Sequence, residues 1–279
     1  MRSSALPLTI LSVLLWAAAP SAQELDLPQR FEALDDAGDL PGLEALWRAH
    51  EGEVLYTIDA YLERGLRLWE EDAETNGAEI ERLGARALRG ALAADRAFGR
   101  TIFSDYASSF LSWGPNEKTS FRHGQEMYDR ARNALGAGQL DAARNYARHA
   151  VETAELLGDW WGQAMGLLAL GTVEERRGES RAALTAHRKA RLLHQQLGLR
   201  LSELRSLHAM ARLGMALGQL PSARISLERG LEIALGAQEF GRARALLGLS
   251  IDLATLEGDL EAERSARALL ESLPAQEGD

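Results

Sequence analysis

Apolar and small side chains recur at helical spacing through residues 119 to 273, in paired runs separated by a glycine, and the arrangement returns every 40 residues. Gly138 opens GQLDAARNYARHA, Gly178 opens GESRAALTAHRKA, Gly218 opens GQLPSARISLERG and Gly258 opens GDLEAERSARALL. Eleven residues before each glycine stand Met127, Leu167, Leu207 and Leu247, and seven before it Ala131, Gly171, Ala211 and Ile251. A spacing of four puts these columns on one helical face, and the small second column lets two helices approach closely. After the glycine, Ala143, Ala183, Ala223 and Glu263 begin a second face that continues through Ala150, Ala190, Gly230 and Leu270. The pattern predicts a helix, a turn with glycine in a left-handed cap, and a second helix. Pro221 fits the start of a second helix, where its missing N–H is not needed. One such hairpin cannot bury both faces, so the four units must stack.

The Leu column at 167, 207 and 247, the small column at 131, 171 and 211, the turn glycines and Ala143, Ala183, Ala223, Ala150 and Ala190 resemble the tetratricopeptide repeat family in a 40-residue form. That resemblance implies an all-α, right-handed superhelical solenoid of helix-turn-helix repeats, whose first helices line a concave groove gripping extended peptides or partner helices. The chain departs from the family where Ala147, His187, Leu227 and Arg267 replace a usual large aromatic, and where the helix-closing proline is missing. Glu263 and Arg267, at positions apolar or small in most other units, predict a solvent-facing last unit. The resemblance carries the groove role to Tyr128 and Arg132, Leu168 and Thr172, and His208 and Arg212. Arg205, His208 and Arg212 are spaced 3 and 4, so they share a face that would receive a carboxylate or an acidic peptide. The competing reading pairs these arginines with Glu203 or Glu175, in a chain whose only lysines are Lys118 and Lys189.

Residues 23 to 113 are also helical by pattern, with Pro28 and Pro41 near helix starts and breaks at Gly38, near residue 75, and at Gly99. Gly38-Asp39-Leu40-Pro41 echoes Gly218-Gln219-Leu220-Pro221, yet the offset from Gly38 to Gly138 is not a multiple of 40. Divergent hairpins out of register with the later array are expected. Phe103, Tyr106, Phe110 and Trp113 form one aromatic stripe. An exposed stripe would be a docking ridge. A buried one would join the two halves, the preferred reading because large aromatics are mostly inside. Between the halves a small ligand in an aromatic pocket is the alternative to groove binding. Gly114-Pro115-Asn116 ends that helix and marks the domain boundary. Of Trp160 and Trp161, one is expected between units and the other at the surface.

MRSSALPLTILSVLLWAAAPSA, residues 1 to 22, reads as a secretory signal, with cleavage after Ser21 or Ala22. The expectation is a periplasmic or secreted chain from a bacterium, with no transmembrane segment after cleavage, since the apolar run is short of the roughly 20 residues a span needs. Formal charge is −10, which disfavours nucleic acid as a partner because phosphate contacts need a basic face. The absence of cysteine excludes disulfides and thiolate metal sites. No Gly-x-Ser-x-Gly elbow, GxxxxGK loop or His-Glu-x-x-His pair occurs. His187 and His194 are seven apart on one helix, too far for an i, i+4 metal pair, and His187 sits in a packed column. Acid pairs such as Glu70-Glu71 and Glu174-Glu175 read as solvated faces. The sequence thus predicts a scaffold that binds a protein or peptide, with no catalytic residue, cofactor or metal.

Overall fold

The computed structural model describes residues 25–274; the secretory signal read over residues 1 to 22 lies outside them. The described chain is an all-α helical repeat with no strand. Its first half comprises α1 (Leu27–Asp36), α2 (Leu40–Ala49), a 3-10 turn (Glu51–Glu53), α3 (Val54–Asp72), α4 (Gly77–Phe98) and α5 (Ile102–Ser112). Four hairpins follow: α6 (Pro115–Gly136) with α7 (Leu140–Leu157), α8 (Trp160–Arg176) with α9 (Ser180–Gln196), α10 (Arg200–Ala216) with α11 (Leu220–Gly236), and α12 (Phe240–Glu257) with α13 (Leu260–Ser272). From α6 onward each helix packs on the next, and α6 also touches α8 as α10 touches α12.

The turns explain this regularity. Gly138, Gly178, Gly218 and Gly258 have φ of 73°, 81°, 69° and 71°, and Gly158 and Gly198, which link one hairpin to the next, have 65° and 71°. At each, the following N–H reaches back five residues: Gln139 N donates to Ala134 O at 2.9 Å and Asp159 N to Ala154 O at 2.9 Å. This is the Schellman closure of a helix, which requires a left-handed residue. The unit of local structure is therefore 20 residues, and the 40-residue period arises because successive helices face differently. Gln238 occupies the same place with φ 56°. Gly38, with φ 66° and Asp39 N bonded to Leu34 O at 2.9 Å, has the same turn in the first half.

Met127, Leu167, Leu207 and Leu247 are all buried, as are Ala131, Ala211, Ala143, Ala183, Ala223, Ala150 and Ala190. The final helix, α13, buries no residue completely and closes the stack against α12.

The aromatic stripe is core. Phe103, Tyr106, Phe110 and Trp113 are buried together with Phe121 of α6 and with Leu197 and Leu199 from the α9–α10 turn. Hydrophobic burial is thus continuous across Gly114, which precedes α6 and lets Pro115 open it. Polar contacts reinforce the junction: Trp113 Nε1 donates to Leu157 O at 3.0 Å, and Arg122 of α6 binds Glu63 at 2.8 Å and Glu70 at 2.7 Å on α3. Trp160 is exposed, whereas Trp161 packs edge-on against Tyr56 at 5.4 Å. Among the described residues no helix is long and apolar enough to cross a membrane.

Candidate binding site

The residues assigned to the groove do not share one environment. Tyr128 is partly buried on α6, and Arg132 lies over its ring, 5.8 Å from the centroid. Burial raises the Tyr128 hydroxyl, while the charges of Arg132 and Arg205 act against that rise. Arg205 and His208 line a recess of about 270 Å³ with Leu204, Arg242, Ala245 and Leu246. Arg212 instead pairs with Glu175 of α8. Leu168 is buried in a cluster with Val151, Leu167 and Ala190 and presents nothing to a ligand. Thr172 is partly buried, its hydroxyl donating to Leu168 O at 2.9 Å. Glu203 faces away from the stripe, buried beside Arg191 and Arg229, each at 3.6 Å.

A larger cavity, about 400 Å³, lies where the two halves meet. It is walled by Tyr106 from α5, Phe121 and Tyr128 from α6, and Trp161 from α8, with Asp59 and Glu63 entering from α3. Asp59 accepts a 2.5 Å hydrogen bond from the Tyr106 hydroxyl. Burial pushes its carboxyl up to about 7, and Glu63 and Asp159 add to that rise against the Tyr106 bond and the Arg122 charge. Burial in turn raises the Tyr106 hydroxyl well above its usual value, with the Asp59 charge adding to it. Asp159 caps α8, its Oδ1 accepting from Gly162 N at 2.8 Å. Burial raises Asp159 to about 6, with Glu63 adding and the Gly162 N–H opposing. A carboxylate loses solvation on burial, so an acid without a cation beside it holds its proton to higher pH.

Sequence reasoning reached Tyr128 and the aromatic character of this junction but not its acids. Asp59 and Asp159 come from helices a hundred residues apart, in a chain of 41 acids. Asp159 did carry a local signal: Asp159-x-x-Gly162 repeats the cap of Asp39-x-x-Gly42, where Gly42 N likewise donates to Asp39 at 3.0 Å.

His187 and His194 on α9 are buried, with His187 Nε2 3.9 Å from Glu175 Oε2. Burial lowers both to about 4; for His187 the Glu175 charge opposes this, and for His194 the Arg205 charge reinforces it. Both ring nitrogens of His187 lack a hydrogen-bond partner among the described residues, as does Nε2 of His194, whose Nδ1 is 3.4 Å from Ser206 Oγ. They are neutral packing groups at physiological pH. Among the described residues no group of three or more His, Asp or Glu is placed to hold a metal ion.

No family model matches the sequence. No curated protein matches it. Among solved structures, the crystal structure of BtubC (BKLC) from P. vanneervenii is similar over 91% of this chain and 95% of its own, at 14% identity and a TM-score of 0.38, a likeness too distant to bear on function.

Proposed function

We propose that this chain is a non-catalytic scaffold of tetratricopeptide-repeat type, exported and wound as a right-handed superhelix, that holds an extended segment of a partner protein along its first helices. The observation that carries this reading is the position of Tyr128. On first helix α6 it lines the cavity of about 400 Å³, while on first helix α10 Arg205 and His208 line the recess of about 270 Å³ beside α12. Two recesses along first helices give an extended peptide two places to seat side chains, the usual way such segments gain specificity. Arg205 makes no ion pair among the described residues, and it is the cation of the stripe best placed to meet a ligand carboxylate.

The test is selection of peptides from a displayed random library against the native chain and against Arg205→Glu. Sequences recovered by the native chain and bound at least about tenfold more weakly by the variant, with helicity unchanged, would support the groove. Equal binding by both removes Arg205 from it. The cavity volume also favours a second reading, a carrier for a small ligand. Thermal stabilisation by a compound of that size, with no peptide recovered, would replace the first reading by the second.

A further inference from the structure

The junction cavity combines aromatic walls with carboxylates and has no lysine, arginine or histidine in its lining. Arg122, whose charge reaches Asp59, is already engaged by Glu63 and Glu70, and Arg132, stacked over the Tyr128 ring, lies 4.0 Å from Asp129 of the lining. Asp59 and Asp159 make no ion pair among the described residues. Asp159 is more than nine-tenths buried. Capping alone does not call for that burial, because Asp39 caps α2 in the same turn and is exposed. A carboxylate withdrawn from water without a counter-ion loses solvation, so buried Asp159 and partly buried Asp59, which line the same cavity, gain from a cation brought into it. One face of Tyr128 already carries Arg132, and the electron-rich face of Trp161 attracts a cation in the same way, most strongly where water is excluded.

We propose that this cavity receives an aliphatic organic cation, an ammonium or guanidinium group, held between the carboxylates of Asp59 and Asp159 and the aromatic walls. The source is a lysine or arginine of the bound segment, a choice that rests on the scaffold reading, or a free amine of the same chemistry. The cavity thus complements the arginine recess: one end of the path takes positive charge and the other negative.

Three probes separate the possibilities by calorimetry at pH 8, where both carboxyls are ionised: a short capped peptide with one central lysine, the same peptide with norleucine in its place, and cadaverine. The lysine peptide is expected to bind about tenfold or more tightly than the norleucine peptide, and Asp59→Asn with Asp159→Asn to abolish that preference. Asparagine caps a helix as well as aspartate, so α8 keeps its start in the variant. Binding of cadaverine without the lysine peptide supports the cation site and removes the scaffold reading. Equal binding of lysine and norleucine peptides overturns the cation site and leaves the scaffold reading intact. Failure of both amines to bind, or retention of the preference in the asparagine variant, also overturns it.

Discussion

The imidazole of His187 fills the space that a side chain at Gly171 would take: a Cβ at 171 would lie 2.8 Å from His187 Cε1 and Nε2. The corresponding pairs are Ala131 with Ala147 in the first hairpin and Ala211 with Leu227 in the third. The smallest residue thus faces an imidazole, and the close approach of α8 to α9 depends on both. Gly171→Ala gains helix propensity of about 1 kcal/mol but drives a methyl into the buried ring of His187, at a cost of about 1–3 kcal/mol. The expected outcome is a lower urea midpoint. Adding His187→Ala, which recreates the first hairpin's pair, should recover part of the loss, and strict additivity of the two substitutions would show that they do not meet.

The same histidine sets the response to acid. His187 and His194 titrate near 4 when folded, below the ordinary 6.5. From pH 6.5 down to 4 the unfolded chain binds protons that the folded chain refuses, so their contribution, up to about 3 kcal/mol each, is lost as pH falls. Asp59 and Asp159 act in the opposite sense, with folded values of about 7 and 6 against an ordinary 3.8. Their contribution is complete below pH 3.8 and is lost as pH rises through 6 and 7. Charged groups face each site: Glu175 and Arg212 at His187, Arg205 and His187 at His194, and Glu63, Asp159 and Arg122 at Asp59. The two pairs offset each other in the native chain, and single substitutions separate them. His187→Leu should gain melting temperature relative to the native chain as pH is lowered from 7 to 4.5, and Asp59→Asn should lose it. Curves parallel to the native one would contradict both assignments.

Glycine punctuation made most of the fold legible, because a left-handed turn is dictated locally by one residue. Gly138, Gly178, Gly218 and Gly258 revealed the hairpins, yet the equivalent turns at 158, 198 and 238 stayed hidden as part of the same series. At 238 the residue is glutamine, held at φ 56° with Glu239 N bonded to Ala234 O at 2.8 Å. The turn forms there because the helices on either side impose it. A residue with a Cβ pays about 1–2 kcal/mol in this region. Gln238→Gly should therefore raise the urea midpoint by the equivalent of about 1 kcal/mol, since glycine's greater freedom in the unfolded chain takes back part of the gain.

The candidate site was legible where its residues lie on repeat positions or share a helical face with them. Tyr128 follows from register and Arg205 from its spacing with His208 and Arg212, whereas Leu168 is buried, because register alone does not tell which flank of a first helix meets the neighbouring second helix. The buried Val151 and Ala190 that cluster with Leu168 lie on α7 and α9, one on either side of α8. Asp59 had no equivalent position to be read from, because the first half is out of step with the array. Its partner Tyr106 was visible as part of the aromatic stripe, but the direction of its hydroxyl depends on how α5 sits on α3.

Glu51 joins the halves at a second point. Its carboxylate, largely buried, accepts from Arg100 at 2.8 Å and from Arg200 at 2.7 Å, 149 residues along the chain. Arg100 also donates to Gln196 O at 3.0 Å, and a Cβ at Gly198 would lie 3.2 Å from Glu51 O, so the 3-10 turn presses directly on the α9–α10 turn. Burial would raise the Glu51 carboxyl, but the two guanidinium groups outweigh it and hold it below its ordinary 4.5. Its contribution is present above 4.5 and lost as pH falls through that lower value. Glu51→Gln keeps the shape and removes the charge that both arginines need, at an expected cost of about 1–3 kcal/mol. Because the contact lies at one end of α10, amide exchange should quicken in the 3-10 turn, at the start of α5 and in the α9–α10 turn, while α12 and α13 keep native rates. Uniform quickening through the whole chain would mean that the halves unfold as one unit; unchanged exchange at the α9–α10 turn would mean that the shared aromatic core alone holds them together.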